Sequence, residues 1–307
     1  MCSMLECILQ LGEDVMANKT VLSVLLGLLA HQGYCASSVA YQRVAAAGTV
    51  AHVVTVNLAD PDVRVSVALA RGGAGQAEGF KSLISRTKPA AAITGTFFDT
   101  RTLIPTGDIA LFGTLVHSGC IGSALCIDCN NKAAIVPLRK GRQCKWNGYE
   151  TVLCAGPTLI SQGKVAIALK HEGFRRVAMH GKRRTAAGIT QSGKLVMVCV
   201  NRGASLYQVA KLMLTLNVTH AVCLDGGSST AFYHNGSYLA VPGRTLTNCL
   251  VVYKSESDYR EAKNQLAPAR FLAKADARPR TSPLSELSPA LLLPPGDLYP
   301  AISATRP

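Results

Sequence analysis

Apolar and polar residues alternate along the early part of the chain in a pattern typical of β-strands. Between residues 49 and 69 the alternation continues on both sides of Asp60-Pro-Asp62, which indicates a hairpin. The continuous apolar run 195–200 predicts a buried strand, and residues 248–253 predict a closing one. These patterns place much of the predicted core in strands.

One helical pattern lies between two apolar runs. Residues 206–216 carry apolar side chains at helical spacing, namely Leu206, Val209, Ala210, Met213 and Leu214. The chain then returns to a second strand-like run, 221–224, so that strand, helix and strand follow one another. This order predicts a βαβ-type unit. Residues 80–87 predict a further short helix.

The N-terminus carries the pattern of an export signal. Lys19 precedes the apolar run 21–30, and Ser38-Val-Ala40 supplies the small residues that signal peptidases prefer. The run is short for a bilayer crossing, so no stable membrane span is expected. Residues 1–40 are therefore predicted to be a leader and signal-like segment, and the protein to be periplasmic or secreted.

Two alternatives stay open for this leader. Its first residues carry Glu6, Glu13 and Asp14 ahead of the positive charge, which favours translation from Met16 rather than Met1. The apolar run is also compatible with a buried core helix.

The C-terminal end differs in composition from the middle of the chain. Beyond about Ser257 a polar, helix-compatible connector leads into a tail that holds eight of the fourteen prolines after Gln265. Residues 257–307 are predicted to be a Pro-rich, disordered or extended tail.

Eight of the eleven cysteines follow Ala40, and an even number suits an oxidising compartment. Cys120, Cys126, Cys129 and Cys144 are close enough in sequence to form disulfides. Cys126-Ile-Asp-Cys129 is also compatible with half of a zinc site, although no second Cys or His pair follows. Cys199 and Cys223 lie in strand-like runs, where buried thiols are ordinary.

The distribution of charge indicates which kind of molecule the protein binds. The 307 residues carry a net charge of +14, and the segment 138–184 holds eleven Lys or Arg against two Glu. Such a basic patch favours an acidic partner. Nucleic-acid readers interleave basic residues with aromatic ones, but this segment contributes only Trp146, Tyr149 and Phe174 and no recognisable motif. No nucleic-acid partner is expected.

The segment most suggestive of chemistry is Ala221-Val-Cys-Leu-Asp225-Gly-Gly-Ser-Ser-Thr230. A buried strand would hold Asp225 rigidly at its end, and two glycines allow the backbone to approach a ligand closely. Successive N–H groups and hydroxyls then suit an anion or a sugar. An ordinary strand-to-turn connection is the alternative, because Asp-Gly is a common turn dipeptide.

Four segments in order resemble the phosphodiester glycosidase family, with the likeness running from about residue 49 to residue 253. They are Ala92-Ile-Thr-Gly-Thr-Phe-Phe-Asp99, Ala155-Gly-Pro-Thr-Leu-Ile-Ser-Gln-Gly163, Arg184-Thr-Ala-Ala-Gly188 and Leu224-Asp-Gly-Gly-Ser-Ser229. The resemblance implies an α+β fold over residues 41–256, a single mixed domain with a twisted, mostly antiparallel sheet flanked by helices. It also implies an exported enzyme that acts on phosphate-linked sugars.

Two positions depart from the family pattern. Thr94 stands where the family usually has Asn, and Asn201-Arg-Gly203 stands where it usually has Asp-Gly-Arg. The first change replaces an amide by a hydroxyl, and the second removes a carboxylate. Either change is expected to alter substrate choice or activity.

Cleavage of a sugar C1–O–P bond passes through an oxocarbenium-like transition state, which requires negative charge near C1 and stabilisation of the leaving phosphate. We assign Asp225 as nucleophile, base or metal ligand, Arg184 as the phosphate-binding cation and Asp99 as the second carboxylate. The predicted substrate-binding residues are Thr96, Phe98, Thr185, Gly226, Gly227, Ser228, Ser229 and Asn248.

Each of these assignments has a structural alternative. Asp99 is equally suited to a turn after the Phe97-Phe98 pair, and Arg184 to a solvated basic run. No compact metal motif is present, and the sequence requires no cofactor. A calcium or magnesium ion at Asp225 stays open, because these ions accept scattered oxygen ligands.

Three functions are therefore compared. The favoured one is hydrolysis of a sugar-1-phosphodiester in an exported polysaccharide or phosphoglycan. The second is a non-catalytic envelope or exopolysaccharide-binding protein that uses the same anion and sugar cradle. The third is an envelope structural protein.

Overall fold

The structure is a computed structural model that describes residues 37–119, 121–138, 144–174, 181–269 and 271. The leader up to residue 36, Cys120 and most of the Pro-rich tail lie outside the described residues. So do five of the eleven basic residues counted between 138 and 184, among them Arg139 and Arg175.

Seventeen strands and three α-helices make up the described fold. In chain order the strands are β1 (Val39–Ala46), β2 (Thr49–Val56), β3 (Arg64–Leu69), β4 (Ala91–Thr94), β5 (Ile109–Leu111), β6 (Thr114–His117), β7 (Ser123–Asp128), β8 (Ala133–Pro137), β9 (Tyr149–Ala155), β10 (Thr158–Ser161), β11 (Lys164–Val165), β12 (Lys182–Thr190), β13 (Leu195–Ala204), β14 (Val218–Leu224), β15 (Phe232–His234), β16 (Ser237–Ala240) and β17 (Asn248–Tyr253). The helices are α1 (Phe80–Thr87), α2 (Leu206–Leu214) and α3 (Glu256–Leu266).

The strands form three sheets rather than the one that was predicted. The first sheet has the order β1-β2-β13-β12-β14-β10-β11, the second β16-β15-β4-β17-β3 and the third β6-β5-β9-β7-β8. Every strand pair in these sheets is antiparallel. The prediction of a sheet-rich, mostly antiparallel α+β fold is confirmed, whereas the prediction of one sheet is wrong.

The predicted strand-helix-strand unit is present as β13, α2 and β14. β12 lies between β13 and β14 and runs antiparallel to both, so Thr185 pairs with Cys199 on one side and with Leu224 on the other. Ser205 and Gln208 form a capping box at the start of α2, which satisfies two backbone N–H groups there. The unit therefore ends with Leu224 in the middle of the first sheet.

The core has two main parts, one on each face of the first sheet. Val54, Met197 and Leu224 face a large cluster that includes residues of the second and third sheets. Val198 and Cys223 face a smaller cluster beneath α2. Burial on both faces explains why β13 and β14 read as continuous apolar runs.

The polar connector predicted after β17 is helical. α3 buries Ala262 and Leu266, so the packed part of the chain continues beyond the predicted boundary at residue 256. Arg86 on α1 donates to the carbonyl oxygens of Leu69 and Gln265 and forms a buried ion pair with Glu78 at 2.6 Å. None of the described helices has the length and apolar character needed to cross a bilayer.

The described cysteines change the disulfide prediction. Cys126 is a buried free thiol, so the bridges predicted through it are not formed. Cys199 and Cys223 are buried free thiols as predicted, and burial raises the pKa of each to about 12. These two thiols are therefore protonated at neutral pH and serve as small core residues.

Candidate active site

The candidate site lies where β14 ends, next to the end of β4 and the start of β12. The main-chain N–H of Asp225 donates to the carbonyl oxygen of Gly95 at 3.0 Å. The hydroxyl of Thr185 donates to the carbonyl oxygen of Asp225. The aspartate is thus attached to β4 through its nitrogen and to β12 through its oxygen, which fixes its backbone between two sheets.

The carboxyl group of Asp225 is strongly desolvated. Desolvation raises its pKa to about 6, while hydrogen bonds from the Ser229 hydroxyl and the Gly226 N–H and the charge of Arg244 oppose the rise. The Gly226 bond is 2.9 Å long. A group with this pKa is mostly ionised at pH 7 and becomes protonated just below it, which suits a nucleophile or a general base.

Gly226 and Gly227 are required by the path of the turn. A Cβ at Gly226 would lie 2.7 Å from the carbonyl oxygen of Arg183, and Gly227 has a φ of +61°. Residues Gly227–Ser229 then form a short 3₁₀ turn in which Ser228 is exposed and Ser229 is buried. The double glycine therefore brings this turn directly against β12.

Asn248 organises the opposite side of the site. Its Oδ1 accepts a 2.8 Å bond from the N–H of Thr96, and its Nδ2 donates to the Thr247 hydroxyl. A Cβ at Gly95 would lie 1.9 Å from this Oδ1, so only glycine fits there. Asn248, predicted as a substrate-binding residue, is itself fully buried and supports the Gly95 to Thr96 backbone.

Thr96 presents a hydroxyl without a partner. The residue is 1% exposed, and its Oγ1 has no hydrogen-bond partner among the described residues. The turn over residues 226–229, the catalytic turn, is followed by Thr230. The Oγ1 of Thr230 likewise has no hydrogen-bond partner among the described residues. Because buried hydroxyls are normally bonded, Thr96 and Thr230 are suited to a bound ligand or water.

Thr94, which stands where the family usually has Asn, connects two segments of the site through its hydroxyl. Its hydroxyl donates to the carbonyl oxygen of Ser229 at 2.6 Å and accepts from the N–H of Ala231 at 2.8 Å. Thr94 therefore fastens the end of β4 to the segment that follows the catalytic turn. Its hydroxyl is satisfied within the protein and is not directed at a substrate.

The departure at Asn201 also has defined contacts. Asn201 Oδ1 accepts a 3.2 Å bond from Arg183 Nη2, and Asn201 Nδ2 donates to the carbonyl oxygen of Leu239 at 2.8 Å. The pairing of β12 with β13 is irregular at this point, between the pairs Lys182–Ala204 and Arg184–Val200. The amide thus links the first sheet to the end of β16 without neutralising Arg183.

The backbone of Arg184 lies next to the turn, since a Cβ at Gly226 would be 3.6 Å from the Cα of Arg184. Arg184 is 5% exposed, and its Nε donates to the carbonyl oxygen of Ala204 at 3.1 Å. Burial lowers the pKa of its guanidinium, and the nearby Cys223 opposes this shift. Arg184 is therefore not the solvated residue of the structural alternative.

Asp99 is not brought together with Asp225 by any contact of the described residues. Its Oδ1 accepts the N–H groups of Arg101 and Thr102 at 2.8 and 3.0 Å. These bonds, led by that from Thr102, lower the pKa of the exposed Asp99 carboxyl. The geometry is that of a turn-forming aspartate.

The two adjacent phenylalanines point to different surroundings. Phe97 packs against the smaller core cluster, and its ring centroid lies 5.9 Å from that of Phe174. Phe98 is half-buried and bridges to Pro105. Both residues are half-buried, and only Phe97 is packed against that cluster.

Arg244 is not among the site residues assigned from the sequence, yet its charge lowers the pKa of Asp225. No local pattern distinguishes this exposed arginine from other surface cations. Among the described residues, no three His, Cys, Asp or Glu side chains are grouped as a metal ion would require.

The class of protein follows from comparison with known families. The model of that family matches residues 87–253, just over half of the chain. The chain therefore belongs to the phosphodiester glycosidase family, as the four sequence segments predicted.

The curated relative is an N-acetylglucosamine-1-phosphodiester alpha-N-acetylglucosaminidase from Bos taurus. It is 38% identical over 74 residues, which are 22% of this chain and 14% of the bovine protein. The match therefore spans only a small part of that protein's length.

Solved structures share the fold. The zebrafish enzyme of the same name, a catalytic domain auto-inhibited by its pro-peptide, aligns with a TM-score of 0.57 at 22% identity. The alignment covers 70% of this chain and 82% of the zebrafish one. A hypothetical protein from Synechocystis aligns with a TM-score of 0.54 at 18% identity, over 70% of this chain and 61% of that one.

Proposed function

We propose that the protein hydrolyses the glycosidic bond of a sugar-1-phosphodiester in an exported polysaccharide or phosphoglycan. The observation that carries the proposal is Asp225, a desolvated carboxylate with a pKa of about 6 held rigidly beside a glycine-rich turn. Membership of the phosphodiester glycosidase family supports the same reaction.

In this reaction the C1–O bond breaks and its electron pair stays on the phosphate oxygen. The oxygen of water becomes bonded to C1, and the water proton is released to the medium through the carboxylate. Ionised Asp225 supplies the negative charge that an oxocarbenium-like transition state requires. Because the departing phosphate monoester is a good leaving group, cations and N–H donors stabilise it without a dedicated acid.

The predicted substrate-binding residues fit this scheme in two groups. The exposed Ser228 hydroxyl is available to bind sugar or phosphate oxygens, whereas the unpartnered Thr96 hydroxyl lies buried behind the surface of the site. Phe98 offers a half-exposed ring that is suited to stacking on a sugar. Thr185, Ser229 and Asn248 act indirectly, because their polar atoms hold Asp225 and the Thr96 backbone in place.

The proposal includes export to the periplasm or medium, and a phosphate-linked carbohydrate as the partner. The net charge of +14 supports an anionic substrate. Arg184 is retained as a residue that supports the start of β12, since its guanidinium is buried against Ala204.

The test is release of free sugar from an N-acetylglucosamine-1-phosphodiester and from analogues with other sugars, with and without calcium or magnesium. Release by the wild type and its loss in Asp225→Asn, with folding checked by circular dichroism, are the expected results. Absence of release from every substrate by the wild type would refute the hydrolase.

A binding protein without turnover is the second candidate. It is favoured by the two departures, because the Thr94 hydroxyl is committed to Ser229 and Ala231, and Asn201 carries no charge. Calorimetric binding of the same phosphodiesters without sugar release would establish this alternative.

A further inference from the structure

The catalytic turn is bordered by two arginines that have no carboxylate partner. Neither Arg183 nor Arg244 forms an ion pair with a described acidic residue, in contrast to Arg86. Arg183 is partly buried and bonds only to neutral oxygens, whereas Arg244 is exposed. Arg244 is therefore the more accessible cation at this turn.

Arg244 belongs to a connection that is fixed on both of its sides. The connection runs from β16 to β17 over residues 241–247. Both Nη1 and Nη2 of Arg183 donate to the carbonyl oxygen of Val241 at 3.2 Å, and the Gly243 N–H donates to the carbonyl oxygen of Ser228 at 2.8 Å. Leu246 exchanges two backbone bonds with Glu78.

These anchors leave Arg244 and Thr245 as the exposed residues between two fixed points. The backbone of Gly243 is bonded to the catalytic turn itself, so the next residue starts from the rim of the site. The positive charge of Arg244 acts on the Asp225 carboxyl and lowers its pKa. An exposed cation on an anchored loop is suited to binding an anion.

We propose that Arg244, rather than Arg184, is the cation that contacts the substrate phosphate. This inference rests on the proposed function. As the C1–O bond breaks, negative charge grows on the phosphate oxygen, and a guanidinium stabilises two oxygens at once. Arg184 is 5% exposed and its Nε donates to the carbonyl oxygen of Ala204, so its guanidinium is less accessible than that of the exposed Arg244.

The experiment compares Arg244→Gln with the matched surface variant Arg260→Gln, which removes one positive charge from α3. Two substrates are used, a sugar-1-phosphodiester and the neutral nitrophenyl glycoside of the same sugar. Arg244→Gln is expected to lower kcat/KM on the phosphodiester by about 10²–10³-fold and to affect the neutral glycoside far less. Equal losses on both substrates, or no loss, would overturn the inference.

The pH dependence of kcat/KM provides a second test, because a purely structural role of Arg244 would leave it unchanged. The groups that face the Asp225 carboxyl are Arg244 from the anchored loop, Ser229 and Gly226 from the turn, and Cys223 from β14. Loss of the Arg244 charge is expected to shift the acidic limb of kcat/KM to higher pH. An unchanged limb in Arg244→Gln would contradict the proposal.

A binding measurement keeps the inference separate from the proposed reaction. The affinity of the folded protein for inorganic phosphate is measured by calorimetry in the wild type, Arg244→Gln and Arg260→Gln. Weaker binding in Arg244→Gln alone supports the phosphate contact even where no turnover is seen. Equal affinity in all three proteins overturns it, whereas failure of sugar release by the wild type refutes only the hydrolase.

Discussion

The main-chain N–H of Asp225 donates to the carbonyl oxygen of Gly95 at 3.0 Å, so the two signature segments of the chain are joined by one backbone bond. Gly95 tolerates no side chain, because Asn248 occupies the space where a Cβ would lie. The position of the candidate catalytic carboxylate is therefore set by a glycine and an asparagine far away in sequence.

Asp225→Asn is expected to abolish activity and to stabilise the protein at neutral pH. In the folded state the pKa of Asp225 is raised from 3.8 to about 6, so ionising it opposes folding. The variant should be more stable than the wild type by roughly 2–3 kcal/mol at pH 8. Urea denaturation at several pH values measures this difference.

Because folding raises the pKa of Asp225, its effect on the free energy of unfolding changes with pH in a defined direction. The unfavourable contribution of Asp225 is absent below its unfolded pKa, grows as pH rises, and is complete above about 6. The advantage of Asp225→Asn should therefore disappear near pH 4. A constant advantage at all pH values would show that desolvation of the charge is not its cause.

Asp99→Asn is expected to retain activity. The Asp99 carboxylate is committed to the N–H groups of Arg101 and Thr102, and an amide oxygen can still accept one of these bonds. Initial rates should stay within about threefold of wild type, compared with a loss on the order of 10²–10⁴ for Asp225→Asn. A loss of similar size in both variants would restore the two-carboxylate mechanism.

Thr94→Val is expected to destabilise the protein by about 1–3 kcal/mol. Valine keeps the shape of threonine but leaves the Ser229 carbonyl and the Ala231 N–H without their partner. Thr94→Ser is the matched control, because it keeps the hydroxyl. The free energies of unfolding of the two variants are compared by thermal or urea unfolding. Similar stability of Thr94→Val and Thr94→Ser would contradict a role for this hydroxyl.

Glu78→Gln is expected to destabilise the protein by about 3–5 kcal/mol, because Arg86 would remain buried without its carboxylate. Burial raises the pKa of Glu78, but its bonds with Arg86 and Ser82 outweigh that effect and the net pKa lies below the ordinary value. The contribution of the pair is therefore present at neutral pH and lost as pH falls through this lowered pKa.

Glu256, whose side chain is 30% exposed compared with 10% for Glu78, provides the comparison. It pairs with Arg260 and Arg64 at the surface, where ion pairs contribute about 1 kcal/mol or less. Glu256→Gln should therefore change the free energy of unfolding only slightly. Equal effects of the two substitutions would contradict a special role for the buried pair.

The position of β1 sharpens the expected N-terminus of exported protein. The Ser38 carbonyl accepts a 2.7 Å bond from Asn57, its hydroxyl donates to Asp60, and Val39 is buried. A mature chain that starts at or before Ser38 keeps these contacts, whereas one that starts at Tyr41 loses them. N-terminal sequencing of protein from the native envelope tests this, and an intact Met1 would contradict export.

Local patterns were sufficient to predict the strand before Asp225 and the helix expected at 206–216, which the structure has at 206–214. They also indicated that the turn requires glycine at positions 226 and 227. In each of these cases the determining property is periodicity or backbone freedom, which neighbouring residues reveal. The family resemblance was likewise carried by short, contiguous segments.

Long-range relationships were not predictable in this way. The insertion of β12 between β13 and β14, and the division into three sheets, depend on pairings between distant strands. Arg184 was assigned to the phosphate because of its motif, yet the irregular pairing at Asn201 leaves it against Ala204. The proximity of Arg244 to Asp225 depends on a loop anchored at Ser228, which has no local signature.

The second sheet is formed by strands that are far apart in the sequence. β4 pairs only with β15 and β17, and Thr94 is bonded to a residue 135 positions later in the chain. Such non-local pairing folds slowly, because distant segments must first meet. A nascent chain thus remains without a complete candidate site until β17 has been synthesised, because Asn248 at the start of that strand supports the Gly95 to Thr96 backbone.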